Sequence, residues 1–209
     1  MSDFFKQGHA DLHAKAENAA LPAAMASGTI GREVYVRLIR AEYLVHRTLD
    51  ARLIAARSAS PAIDKLVLDT HLFGDHFAAD LEHFGIDPDA VSPTLAAEAF
   101  IGLIDEVEAA DPTLLLAIHY VRLGASNGNR YVAKKIRPAL GLEEIDSAPG
   151  TRHLDPFGPE QRGIWDAFKR ELDQWSFTDE QRTALVDTAR RVFGAVMAIH
   201  AEASESGAA

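Results

Sequence analysis

An all-helical, single-domain bundle is the fold class this sequence predicts, and three observations predict it. Apolar residues recur every three to four positions, as in Val34, Leu38, Ala41, Val45, Leu49 and Leu53, and again in Leu185, Ala189, Val192, Val196 and Met197. Strand-like alternation is nearly absent. The punctuation is helical in kind, with Gly28, Gly85 and Gly141 placed as C-caps and Ser92-Pro93, Asp111-Pro112 and Thr178 placed as helix starts. In chain order, helices are expected over 2–18, over 21–27 up to the stop at Gly28, and over 30–57 along the first stripe. They continue over 60–71, over 73–84 up to Gly85, over 93–110, over 112–140 with its kink and stop at Gly141, over 158–175, and over 178–204 along the second stripe. The polar, turn-rich stretch 141–157 is too short to separate two domains and is read as a surface loop. One domain is therefore expected over 1–209, with residues 1–3 and 205–209 frayed.

Composition narrows the function classes. At 209 residues and 47% hydrophobic content the chain can bury a sizeable core and is not a disordered tail. Its 21 Lys and Arg stand against 31 Asp and Glu, a net charge of −10 that argues against a nucleic-acid partner. With 0 cysteines, disulfides, Cys-bearing zinc sites, iron–sulfur clusters and thiol nucleophiles are excluded. The opening MSDFFKQGHADLH has no apolar signal core, and no run approaches the roughly 18 apolar residues of a membrane span. A cytoplasmic protein without a membrane partner is expected.

Three segments carry candidate chemistry. His71, Asp75, His76, Asp80 and His83 form the densest histidine group, but the chain has no Glu-x-x-His, and 71, 75 and 76 cannot share a helical face with 80 and 83. A solvated, partly paired surface is expected there in preference to a metal site. In KQGHADLHAKAENA, Lys6, His9, His13 and Glu17 fall on one helical stripe, which alone is also compatible with a solvated charged face. In TLLLAIHYVRLGASNGNRYVAKKI, Gly124 and Gly128 lie one turn apart inside a helix, each costing roughly 1 kcal/mol relative to Ala. Either another helix or a large flat ligand approaches closely there, and the polar neighbours Ser126, Asn127 and Asn129 suit the ligand better.

DLHAKAENA, the Gly-Thr-Ile helix start with Tyr35-x-x-Leu38, and LGASNGNRYVAKKI together resemble the haem oxygenase family. Phe77-x-x-Asp80-Leu81-x-x-Phe84-Gly85 and FKRELDQWSFTDEQRTALVDTARRVF agree with that register, so the resemblance runs from about Lys6 to about Phe193. It implies that His13 is the proximal haem ligand, with the Glu17 carboxylate supporting it. It implies that Lys6 and Lys169 pair haem propionates, Lys169 standing where the family has Arg. His119 stands where animal members have a propionate-facing Tyr, leaving His119 or Tyr120 for that role. Gly124 and Gly128 match the glycines over which the distal helix crosses the haem. Ala125 replaces a distal Asp of the animal enzymes, so Ser126, Asn127 and Asn129 are the expected organisers of distal water. Trp165 occupies a position that can be Lys, which removes one propionate contact.

What the resemblance implies is a haem oxygenase in which haem is cofactor and substrate and molecular oxygen is co-substrate, yielding biliverdin, carbon monoxide and iron. A reductase or ferredoxin would feed it electrons, since the sequence has no flavin or nicotinamide fingerprint, and a bilin acceptor would be a further partner. The alternatives are a haem-binding or haem-sensing protein without turnover on the same fold, and a helical interaction protein without cofactor.

Overall fold

Helix boundaries fall where backbone chemistry puts them. The computed structural model describes residues 1–205, apart from the side chains of Lys6 and Glu17. Ten α-helices are found among the described residues: α1 (Ser2–Gly8), α2 (Ala10–Glu17), α3 (Ala20–Ser27), α4 (Arg32–Ala56), α5 (Pro61–Leu66), α6 (Gly74–His83), α7 (Leu95–Ala110), α8 (Leu115–Leu140), α9 (Gln161–Gln174) and α10 (Asp179–Ser204). No strand occurs among them. Gly28 and Gly141 close α3 and α8 in the left-handed conformation, at φ 70° and 69°, which costs glycine no Cβ clash. Thr178 opens α10 with a capping box, accepting from the Gln181 amide while the Gln181 side chain accepts from the Thr178 amide.

Helix α4 runs through the centre and packs against α6, α7, α8 and α10. The expected stripe is the buried one, since Leu38, Ala41, Val45, Leu49 and Leu53 all lie in the core. Helix α8 packs on α3, α4, α9 and α10, so it is held on several sides while one stripe faces α1 and α9.

Four expectations are corrected. The helix expected over 2–18 breaks at His9, which adopts φ −131°. Gly8 lets α1 press on α10, where an added Cβ would lie 2.5 Å from Val186 Cγ1. Arg190 donates to the Gly8 carbonyl at 2.6 Å and grips Asp11 with its two terminal guanidinium nitrogens, offering that carbonyl a partner outside the helical ladder. Residues 1–3 are tied down, because the Met1 ammonium and the Ser2 amide and hydroxyl all donate to Asp173; residues 206–209 lie outside the described residues.

The loop 141–157 is no surface loop: Ala148, Thr151, His153, Leu154 and Asp155 are buried. Asp80, expected on a solvated face, is fully buried and accepts from the Arg152 and His153 amides and sits 2.7 Å from His153 Nδ1. Arg137 donates to Asp155 at 3.0 Å and to Thr151 at 2.9 Å, securing the other end of the loop to α8. Removing one partner from such a buried pair costs about 3–5 kcal/mol, so the loop is an integral strap. Asp80 of α6 and Arg137 of α8 thus grip the same loop from two helices.

Candidate functional site

Helix α8 sets the site through its own periodicity. At 100° per residue, Tyr120, Gly124, Gly128 and Tyr131 share one stripe, while His119, Arg122 and Ser126 turn away from it. On the first side Phe5 stacks on Tyr120 at 4.4 Å between ring centroids, and the His9 and Trp165 rings approach Tyr120 at 6.0 and 5.0 Å. His9 lies 6.5 Å from His13, and both face Phe193 at 4.9 and 5.8 Å. An aromatic chain thus joins the exposed His13 on α2 to the Gly124 turn of α8. On α9, Lys169 Nζ lies 5.6 Å above the Trp165 ring and 2.9 Å from Asp166.

The two glycines differ. A Cβ built on Gly124 would sit 3.2 Å from Trp165 Cη2 and 3.4 Å from Cζ2, so the close approach there is by an indole. A Cβ built on Gly128 would find no heavy atom of the described residues within 4 Å, apart from its own helix backbone. Of these two glycines, Gly128 is the one that leaves bare backbone open. Asn127 and Asn129 flank it, both half-buried, and the Asn127 amide donates to the Gly124 carbonyl at 3.1 Å.

Other expected site residues are placed elsewhere. Ser126 is buried, and its hydroxyl donates to the Leu123 carbonyl at 2.5 Å and accepts from the Gln161 amide at the start of α9. A two-residue step turns a helix by 200°, so a serine two positions from each glycine cannot face their side. His119 is buried between His71 and Phe168, with centroids at 5.6 and 5.4 Å, away from His13. Of the neighbouring pair, Tyr120 faces the His9 and His13 side, and burial, with Asp173 and Asp3 adding to it, pushes its hydroxyl up to about 12. Lys6 and Glu17 have side chains outside the described residues.

Two features were not anticipated. His9 is buried with both ring nitrogens lacking a partner among the described residues, and burial lowers its pKa. Behind α8, Arg122 donates to Glu42 at 2.6 Å and to His46 Nε2 at 2.9 Å, and His200 Nε2 lies 3.6 Å from Glu42. Burial pushes the Glu42 carboxyl up, but Arg122, with His200 and His46, overrides this and holds it well below the usual carboxylate range. The signal available in the sequence was a Glu and a His one turn apart on the otherwise apolar α4 stripe.

The buried imidazoles make stability pH-dependent. Burial, with His71 adding to it, lowers His119 from 6.5 to about 3, and burial lowers His71 to about 4. The unfolded chain takes up these protons below 6.5 while the folded chain does not, so stability is full above 6.5 and is lost as pH falls toward 4. Each such histidine contributes a slope of about 1.4 kcal/mol per pH unit in that window. His119→Phe is therefore expected to flatten the fall in urea midpoint between pH 6.5 and 4.5 by about one histidine's share. An unchanged slope would contradict the assignment of His119 as a neutral core group.

Comparison with known proteins adds the family. The profile described as Heme oxygenase matches residues 1–202. A haem oxygenase of Porphyra purpurea is 24% identical over 99% of this chain and 87% of its own length. In structure, the haem oxygenase of Leptospira interrogans superposes with a TM-score of 0.87 at 22% identity, covering 96% of this chain and 98% of that one. The haem oxygenase-1 of the cyanobacterium Synechocystis, solved in complex with haem, gives 0.85 at 20% identity, covering 96% and 90%.

Proposed function

This chain belongs to the haem oxygenase family, and from that premise we propose that it cleaves haem oxidatively to biliverdin, with release of carbon monoxide and ferrous iron. The observation that carries the reading to particular residues is the bare backbone open at Gly128, one turn beyond the Gly124–Trp165 contact from which an aromatic chain leads to His13. A flat macrocycle needs a broad apolar slot, and a helix can approach it face-on only where a side chain is missing. The unpartnered nitrogens of His9 beside this slot also fit a site that takes a polar-edged ligand.

His13 would hold the haem iron through one imidazole nitrogen, and Glu17, one turn on in α2, would accept from the other. Lys169, already half over the Trp165 ring, would pair a propionate, and Lys6 would pair another. Tyr120 lies on the slot side and would border the ring edge with its phenol protonated, as its raised pKa requires. Asn127, on the Tyr120 stripe, would hold ordered water beside Gly128, whereas Asn129 lies half a turn round α8 from Tyr120 and turns away as Ser126 does. Bound haem supplies an iron that activates dioxygen and a ring that is itself the group oxidised. Electrons would come from a separate reductase or ferredoxin, and a bilin acceptor would receive the product. Among the described residues no helix is long and apolar enough to cross a membrane, and the cytoplasm is the proposed location.

Haemin titrated into the purified protein is expected to give a His-ligated ferric spectrum, and ascorbate or a reductase is expected to convert that spectrum to biliverdin absorbance. No spectral change on adding haemin would remove the haem reading altogether. A stable complex that never bleaches would leave haem binding without turnover.

A further inference from the structure

We propose that Trp165 is a specificity-determining wall of the haem slot: its indole closes the Gly124 end, seats the macrocycle against Gly128, and thereby selects which meso carbon is cleaved. This rests on the haem reading above. The indole fills the space that a missing side chain leaves on α8, since Cη2 and Cζ2 lie 3.2 and 3.4 Å from where a Gly124 Cβ would be, and Cζ3 lies 3.7 Å away. One turn on, the same face is open. A flat ligand that would otherwise lie across both glycines meets an aromatic edge at one of them, so its in-plane position is limited on that side.

The wall is braced. Tyr120 stands 5.0 Å from the indole at 59°, Phe168 stacks on it at 5.7 Å, and Lys169 sits over its face at 5.6 Å. Phe168 is itself buried, so the ring cannot slide further into the core. The cation over the indole is also the one suited to a propionate, and Asp166 keeps it on that side at 2.9 Å. Wall and charge therefore act as one unit: the indole limits where the ring can slide, and the ammonium fixes which edge faces it. The Tyr120 stripe belongs to α8, and Trp165 and Lys169 stand one turn apart on α9, the next helix in the chain.

The test uses the full chain loaded with haemin. Paramagnetically shifted haem methyl resonances of the ferric complex report in-plane seating without turnover, and the biliverdin isomer ratio reports it after turnover. Trp165→Gly is expected to add a second methyl set and to move the isomer ratio by about tenfold, the change produced by about 1.4 kcal/mol between two seatings. Gly124→Ala should shift the same resonances in the wild-type background, because the nearest atoms its methyl meets are those of the indole, and should do little in the Trp165→Gly background. Should Trp165→Gly fail to fold, Trp165→Phe, which keeps an aromatic ring but shortens its reach, decides by the same two readouts. One unchanged methyl set with an unchanged isomer ratio in a folded, haem-loaded variant overturns the proposal. Failure of the unsubstituted protein to bind haemin would instead overturn the haem reading on which it rests.

Discussion

His13→Ala is expected to abolish haem turnover while leaving the fold and its melting temperature near those of the parent protein. The separation follows from where His13 stands. It is exposed on α2, and its ring contacts with His9 and Phe193 lie at the edge of the core. Surface truncations of this kind change stability by about 0.5 kcal/mol or less. Loss of an iron ligand is a different matter, because removing even an outer-shell partner of a metal ligand costs about 10–100-fold, so the ligand itself is expected to cost more than about 100-fold in turnover. Added imidazole should restore part of the activity by entering the vacated space. A fully active His13→Ala protein would transfer the role to His9, the buried imidazole one turn earlier, and would break the register that places Gly128 opposite.

The fold was legible where it depends on local chemistry. The stripe from Leu38 to Leu53 faces the core, and Gly28, Gly141 and Thr178 end or begin helices because each relieves a steric or hydrogen-bonding problem of the backbone within its own turn. What escaped the sequence depends on partners far along the chain. Asp80 is buried because it receives the amides of Arg152 and His153, more than seventy residues on, and Asp155 is buried because Arg137 reaches it. Neither pairing has a periodicity to reveal it, so a polar stretch reads as solvated. The break at His9 has the same origin, since Arg190 on α10 draws on the Gly8 carbonyl.

The site was legible in part for a related reason. Proximity in sequence suggested grouping Ser126 with the glycines, but a 200° step turns it into a buried contact with Gln161, and a 100° step separates His119 from Tyr120. Gly124 and Gly128, alike as residue types one turn apart, differ in surroundings, because Gly124 faces an indole from α9. A residue type alone states that a side chain is missing; the packing of other helices decides what uses the space.

Gly128→Leu is expected to separate stability from function in opposite directions. An added Cβ at this position meets no described heavy atom within 4 Å beyond its chain neighbours and local helix backbone, so the first added carbon causes no clash in the free protein. Leucine also replaces a poor helix former inside α8, which favours the fold by about 0.8–1 kcal/mol if nothing else changes. The melting temperature should therefore hold or rise. Haem binding should fall sharply and turnover should be lost, because the isobutyl group would project into the slot that the macrocycle needs, beside Asn127 and in line with the Tyr120 stripe. Gly128→Ala, which adds a single methyl, should bind haemin more weakly than the parent and retain some turnover, giving a graded series whose order follows side-chain volume. A helix whose glycines served only packing would show the reverse, with Gly128→Leu destabilising the protein and leaving haemin affinity unchanged. If the Leu variant instead binds and degrades haem at the parent rate, haem does not lie against this turn of α8, and the bare backbone at Gly128 has another purpose.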